Sequence, residues 1–258
     1  MSCKIRVGII IQARMTSTRL PGKVLRPVMG KPLLEYELER LQRVRRADNI
    51  IIATTTNDTD QPIVDLAERL GIKVFRGSEE DVLSRYFGAA KENDLDVVVR
   101  ITSDCPLIDP AVVDDVIGAY LENAENCDYV SNCLNRTFPR GMDTEVFPFS
   151  LLEKVYLEVE EQPYREHVTP YIYENNQRFR LLNVAFQRDE SHHRWTVDTP
   201  EDFKLIEHIL ETQYPMNHFF ELEDVLALMS AHPNWFEINS QIEQKKLRQN
   251  ISSYEKKS

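Results

Sequence analysis

Acid is missing from the start of an otherwise acidic chain. The 258 residues carry 42 acidic and 31 basic side chains, yet the first carboxylate is Glu35. An even spread of 42 acids over 258 positions would put about five or six in the first 34. Long apolar runs are missing too: none approaches the ~18 residues of a membrane span, so no membrane insertion is expected. The opening "MSCKIRVGIII" is too short and too strand-like for a signal peptide. The four cysteines (Cys3, Cys105, Cys127, Cys133) form no CxxC pair and no disulfide spacing, which implies free thiols in a reducing, cytoplasmic setting. Only eight glycines are present, too few for a dinucleotide fingerprint, and no GxxxxGK[ST] loop occurs. A net charge of −11 also argues against a nucleic-acid platform, which needs a broad basic face. A small anionic ligand needs only a local cluster of cations.

What is present is an alternation of short β-branched runs and amphipathic helical stretches. "IRVGIII", "NIIIATT", "IKVF" and "DVVVRIT" read as strands. Between and after them, Pro32–Val44, Asp60–Leu70, "SEEDVLSRYFGAAKEN" (with Ser78 as its cap) and Pro110–Asn123 read as helices. Such alternation predicts a mostly parallel α/β sheet covered by helices on both faces. From about residue 127 the spacing predicts a strand–turn–strand, then helices at Leu151–Val159 and Tyr164–Asn175. Strands at "FRLLNVAF" and "RWTVDT" and a helix at "PEDFKLIEHILETQ" follow. Residues 1–215 form the main domain on this reading. Residues 216–258 are a helical extension whose Lys/Gln-rich end, from about Gln241, frays.

Ligands of parallel sheets sit beyond the carboxyl ends of the strands. The acid-free loop within "IIQARMTSTRLPGKVL" (Ile10–Leu25) lies at such an end and presents Arg14, Arg19 and Lys23 around a Pro21-Gly22 turn. Bundled cations and backbone N–H groups suit a di- or triphosphate, although a solvated basic turn has the same composition. In "RITSDCPLI", Asp104 follows the fourth strand, where a carboxylate can hold Mg²⁺ or simply form a turn with the next backbone. In "HHRWTVDTPEDF", Thr199 suffices to cap the helix, which leaves Asp198 unexplained unless it is a second metal ligand. His192 and His193, placed on a strand, would point to opposite faces and so are surface or packing residues. "FPRGMDTEVF" offers Arg140, Asp143 and Glu145 at a polar turn that could grip a second substrate, and "REHVTPYIY" adds Arg165 and His167. A solvated Arg165–Glu166 pair and a packed His167 are the plainer alternative. Cys105 beside Asp104 is a poor nucleophile, because the carboxylate raises the thiol's pKa.

Taken together, these motifs resemble the sugar nucleotidyltransferases, most closely the cytidylyltransferases that make CMP-activated sugar acids, in the branch named for spore coat polysaccharide biosynthesis. The resemblance spans roughly residues 5–213 and rests on the loop, "ATT" (Ala53–Thr55), "RGSEEDVLSRY" (Arg76–Tyr86), "SDCPLID" (Ser103–Asp109), "REHVTPYIY" and "RWTVDTPEDF". It implies a Rossmann-like nucleotidyltransferase domain, with a dimerising, acceptor-binding excursion at about 130–185 and a homodimer. It also implies CTP and a small sugar acceptor as ligands, with Mg²⁺ on Asp104 and Asp198. Phosphate roles fall on Arg14, Arg19 and Lys23, and catalysis on Arg14, Lys23 and Asp104. The nucleotide site extends to Gln12, Ala13, Thr54, Arg76, Gly77, Asp81 and Ser103. Gln12 stands where sialic-acid cytidylyltransferases usually have Pro, and "GKVL" replaces their "KN", so the sugar is left open. Two alternatives remain: a nucleotide-sugar-dependent glycosyltransferase, disfavoured by the lack of a DxD motif after the fourth strand, and a non-catalytic scaffold.

Overall fold

The computed structural model describes residues 4–244, so most of the tail expected to fray lies outside the described residues. Its centre is a seven-stranded sheet ordered β5-β4-β1-β6-β8-β7-β9. The strands are β1 (Val7–Gln12), β4 (Asn49–Thr55), β5 (Lys73–Gly77), β6 (Val97–Thr102), β7 (Tyr129–Ser131), β8 (Glu145–Pro148) and β9 (Leu181–Asn183). The four expected strands pair in parallel, and β8 then runs antiparallel to both β6 and β7. Gly8 to Ile11 and Val97 to Val99 are almost wholly apolar, as strands buried on both faces must be. A small hairpin, β2 (Pro27–Val28) with β3 (Lys31–Pro32), follows the first loop.

Helices cover both faces. They are α1 (Leu33–Leu41), α2 (Gln61–Arg69), α3 (Val82–Glu92), α4 (Pro110–Asn123), α5 (Phe149–Glu158), α6 (Gln162–His167), α7 (Pro170–Glu174), α8 (Pro200–Gln213) and α9 (Leu222–Ala231). One apolar cluster joins Ile9, Ile11, Leu38 and Val113, and a second joins Ile10, Leu83, Phe147 and Leu152 across the opposite face. A third packs α8 and α9 around Trp195, so the C-terminal helix shares a core with the segment carrying Asp198. No described helix is long and apolar enough to cross a membrane.

Three local expectations change. The cap of α3 is Asp81, whose carboxylate accepts from Ser84 N–H; Ser78 instead accepts from Asp81 N–H. The helix expected over Tyr164–Asn175 is broken at Val168, which takes φ 71°, and resumes at Pro170. "RWTVDT" makes only a single bridge, between Arg194 and Arg140, because the segment turns away from the sheet to start α8.

That bridge explains Gly141. It sits at φ 102°, and a Cβ there would come within 2.7 Å of the Trp195 carbonyl oxygen. Gly30 has a similar φ of 77° with open space around it. Gly141→Ala should therefore cost about 1–3 kcal/mol more than Gly30→Ala, measured as the difference in urea unfolding free energy. Equal costs would show that the 141 loop yields without resistance.

Candidate functional site

The register of the sheet sets the site. Gln12 at the end of β1 lies between Ala53 of β4 and Thr102 of β6, so β1 and β6 end level while β4 runs on to Thr55 beside them. The chain leaves β1 toward β4 on one side, while β6 enters from the other. A crevice at such a switch point is the common ligand position of parallel sheets. Here it is a cavity of about 480 Å³, lined in part by Gln12, Ala13, Arg14, Arg19, Lys23, Ser103, Asp104, His167 and Asp198.

The loop after β1 is shaped by its own turn and by one buried acid. Gly22, at φ 66°, donates its N–H to Met15 O at 2.9 Å. Met15 N–H in turn donates to Asp60 at 2.7 Å. The loop therefore curls back and points Lys23 into the cavity. Lys23 Nζ lies 2.9 Å from Asp104 Oδ2 and 2.8 Å from Asp198 Oδ1. Two motifs 94 positions apart thus meet on one ammonium group. Arg19 also reaches Asp198 Oδ1, at 2.9 Å.

Each carboxylate is braced from behind. Asp104 Oδ1 accepts from the Thr102 hydroxyl at 2.7 Å, and Asp104 O accepts from Val197 N–H at 2.8 Å. Asp198 Oδ2 accepts from Arg194 at 2.9 Å, and the same buried guanidinium grips Asp202. Asp202 closes the capping box of α8 with Thr199. The helix cap and the site are thus one structure, and Asp198 sits at its edge without being needed for it.

Charge on these groups follows from burial and pairing. Burial alone would lower the Lys23 pKa, but Asp104 and Asp198 outweigh it and hold the ammonium above its ordinary value. Burial alone would raise Asp104; the Lys23 charge and its hydrogen bonds pull it down to about 2. Burial and then the Asp104 charge push the Cys105 thiol well above its usual range, so it offers no thiolate. Burial lowers His167, against the opposing pull of Glu166, which keeps its imidazole neutral near pH 7.

A second chamber of about 430 Å³ adjoins the first and shares Thr102, His167 and Gln244 with it. Asp143 and Glu145 line it, together with Arg100, Tyr129, Cys133, Arg136 and Thr169. Glu145 is engaged by Arg100, by the Tyr129 hydroxyl and, at 2.7 Å, by Thr169; Asp143 is held bidentately by Arg136. Nothing in the sequence pattern singled out Arg100, Arg136 or Tyr129. A buried charged pair bridging β6 and β8 is visible only once those strands are neighbours.

Other expected site residues lie elsewhere. Thr54 is fully buried and its hydroxyl is 3.3 Å from Asp60. Arg76 turns toward the loop after β4, donating to Thr55 O, Gln61 and Asn57 O, and Gly77 packs on Arg85. Asp81 caps α3 and pairs with Arg165 at 2.6 Å, so neither lines the cavity. Arg140 lies by a separate small pocket with His192 and His193. Those two histidines are on a turn, not a strand, and their ring centroids lie 4.2 Å apart, tilted by 37°, instead of facing opposite ways.

A mostly parallel α/β sheet with a charge-lined crevice at its switch point is the frame of a protein that binds a small charged ligand. A cytidylyltransferase family profile matches residues 8–230, and the chain belongs to that family. It is 36% identical over 204 residues to the spore coat polysaccharide biosynthesis protein SpsF of Bacillus subtilis, covering 76% of this chain and 83% of that one. A shorter match, 36% over 122 residues, links it to the 3-deoxy-manno-octulosonate cytidylyltransferase of Chloroherpeton thalassium, covering 46% of this chain and 48% of that protein. A solved cytidylyltransferase from Leptospira borgpetersenii serovar Hardjo-bovis superposes with a TM-score of 0.87 at 36% identity, over 94% of this chain and all of that one.

Asp104 gives a pH test. Its pKa is lowered in the fold, so its contribution is present above the ordinary value of 3.8 and is lost as pH falls toward about 2. Wild-type stability should fall between pH 4 and pH 2 by on the order of 2 kcal/mol more than that of Asp104→Asn, read from urea midpoints. Parallel curves would mean that Lys23 does not hold this carboxylate ionised.

Proposed function

We propose that the protein transfers CMP from CTP to a sugar acid or sugar phosphate in glycan biosynthesis, releasing pyrophosphate, with Mg²⁺ as cofactor. The observation that carries this reading is the convergence of Asp104 and Asp198 on a single cation, Lys23 Nζ. Around it three cations face three acids: Lys23 and Arg19 pair with Asp104 and Asp198, and Arg14 pairs with Glu79 at 3.5 Å. The site is electrically balanced, so a triphosphate of about four negative charges needs more positive charge than the side chains supply. Two carboxylate oxygens already gathered about one cation fit a hard divalent ion that completes its shell with phosphate oxygens and water. When bound on Asp104 and Asp198, Mg²⁺ neutralises and orients the phosphates.

The side chains divide the remaining work. Lys23 and Arg19, drawn off their carboxylates by the phosphates, would stabilise charge accumulating on the leaving pyrophosphate. The acceptor enters the second chamber, where Arg136, Asp143 and Glu145 offer both signs of charge to hydroxyls and a carboxylate or phosphate. Its oxygen attacks the α-phosphorus, and the bond to the β-phosphate oxygen breaks. Neutral His167, which lines both chambers, would take the acceptor's proton. The resemblance to enzymes that activate sugar acids favours CTP as donor, and the free-thiol composition favours the cytoplasm. A homodimer built through residues 130–185 belongs to the same reading.

Calorimetric titration with CTP, UTP and a UDP-sugar, each with and without Mg²⁺, should show tight binding for CTP with Mg²⁺ alone. Preference for the UDP-sugar would replace the reading with glycosyl transfer. Asp104→Asn and Asp198→Asn should each lower CTP-dependent pyrophosphate release at least ~10²-fold. Retention of most activity in either would remove that carboxylate from the metal site.

A further inference from the structure

We propose that Glu190, His192 and His193 form a binding site for a divalent ion of the zinc class, separate from the nucleotide cavity. One carboxylate oxygen and one nitrogen from each imidazole lie within 4.8 Å of one another. Glu190 Oε2 is 3.6 Å from His193 Nε2 and 3.9 Å from His192 Nε2. Zn–N and Zn–O bonds of about 2.1 Å at tetrahedral angles set neighbouring ligand atoms about 3.4 Å apart. The carboxylate oxygen thus stands 3.6 and 3.9 Å from the two imidazole nitrogens, close to that edge length, and the third edge is no longer than 4.8 Å, so small side-chain shifts would bring the three onto one ion, with the fourth position left to water. Two nitrogens and one oxygen select a borderline ion over Mg²⁺, which prefers oxygen.

The frame of this site is already built. Glu190 N–H donates to Thr137 O at 2.8 Å, and His193 N–H donates back to Glu190 O at 3.1 Å, so the three ligands share one fixed turn. Arg188 Nε holds Glu190 Oε1 at 2.7 Å, which turns the other oxygen toward the rings, as outer-shell partners of metal ligands do. Arg188 is itself paired with Glu223 at 2.5 Å, which offsets its charge beside a cation. His193 packs against Trp195 with ring centroids 5.2 Å apart, while His192 is half-exposed and leaves a way in.

The site also has a line to the nucleotide cavity. His193 O accepts from Arg140 N–H, and the next residue, Arg194, holds Asp198 Oδ2. An ion on this turn would staple the 137–140 loop to the strand of chain that carries Asp198, so its role is structural support of that carboxylate.

The test is titration of untagged protein with Co²⁺, followed by visible d–d absorption, then competition with Zn²⁺. One equivalent of Co²⁺ should give bands of tetrahedral intensity that Zn²⁺ abolishes. The bands should persist in the Asp104→Asn/Asp198→Asn double variant and weaken at least tenfold in affinity in His192→Ala and in Glu190→Gln. His192 is half-exposed, so its loss leaves folding intact, and circular dichroism of each variant checks this. Absence of the bands in the wild type overturns the proposal. So does their survival in His192→Ala, or their loss in the double aspartate variant.

Discussion

The Lys23 ammonium held between Asp104 and Asp198 is the contact on which the rest of the site depends. It ties the loop after β1 to the end of β6 and to the start of α8. Three charges gathered in one place, Asp198 buried and the other two partly so, are costly to desolvate, and each is tolerable only because the others are present. The bracing behind them reflects that cost: Thr102 behind Asp104, Arg194 and the α8 capping box behind Asp198. A parallel sheet brings its carboxyl ends to one side, so segments far apart in sequence can supply the three charges without any long excursion of the chain.

This arrangement also revises the meaning of the acid-free opening. Within the first 34 residues the loop is purely cationic, but folding delivers Asp60, Glu79, Asp104 and Asp198 to it from four other segments. The loop's cations are therefore compensated by carboxylates from other parts of the chain. Having no acids of its own matters in a different way. The partners come from elements on several sides, and Asp198 Oδ1 is shared by Lys23 and Arg19, so the loop is tied to the rest of the chain through charges that it does not itself supply.

The sheet was legible because its strands are buried on both faces and its helices carry strong ends: the Pro110–Asn123 and Pro200–Gln213 boundaries match the expected spans. The carboxylates Asp104 and Asp198 were legible as residues that local structure left without a sufficient task. Thr54, Arg76 and Asp81, expected only from the family resemblance, have partners within the chain. Each is a polar residue in a family-like motif near a strand end, yet burial, a carbonyl-rich turn and a helix cap each claim the side chain first. His192 and His193 were misplaced for one reason, a β-like pattern over a segment that is a turn. Period-two reasoning fails wherever the backbone is not extended.

Val168 connects these strands of argument. A β-branched residue at φ 71° is strained, and it is held there by burial at 1% exposure between α6 and α7. The break it creates ends α6 at His167, so the imidazole is delivered from a helix terminus into the seam that both chambers share. An unbroken helix over 164–175 would keep the next turns in register with α6 and carry Thr169 away from Glu145, which it reaches at 2.7 Å. The strain thus serves two contacts at once: it sets His167 in the seam that both chambers share, and it lets Thr169 close onto Glu145 in the wall of the second chamber.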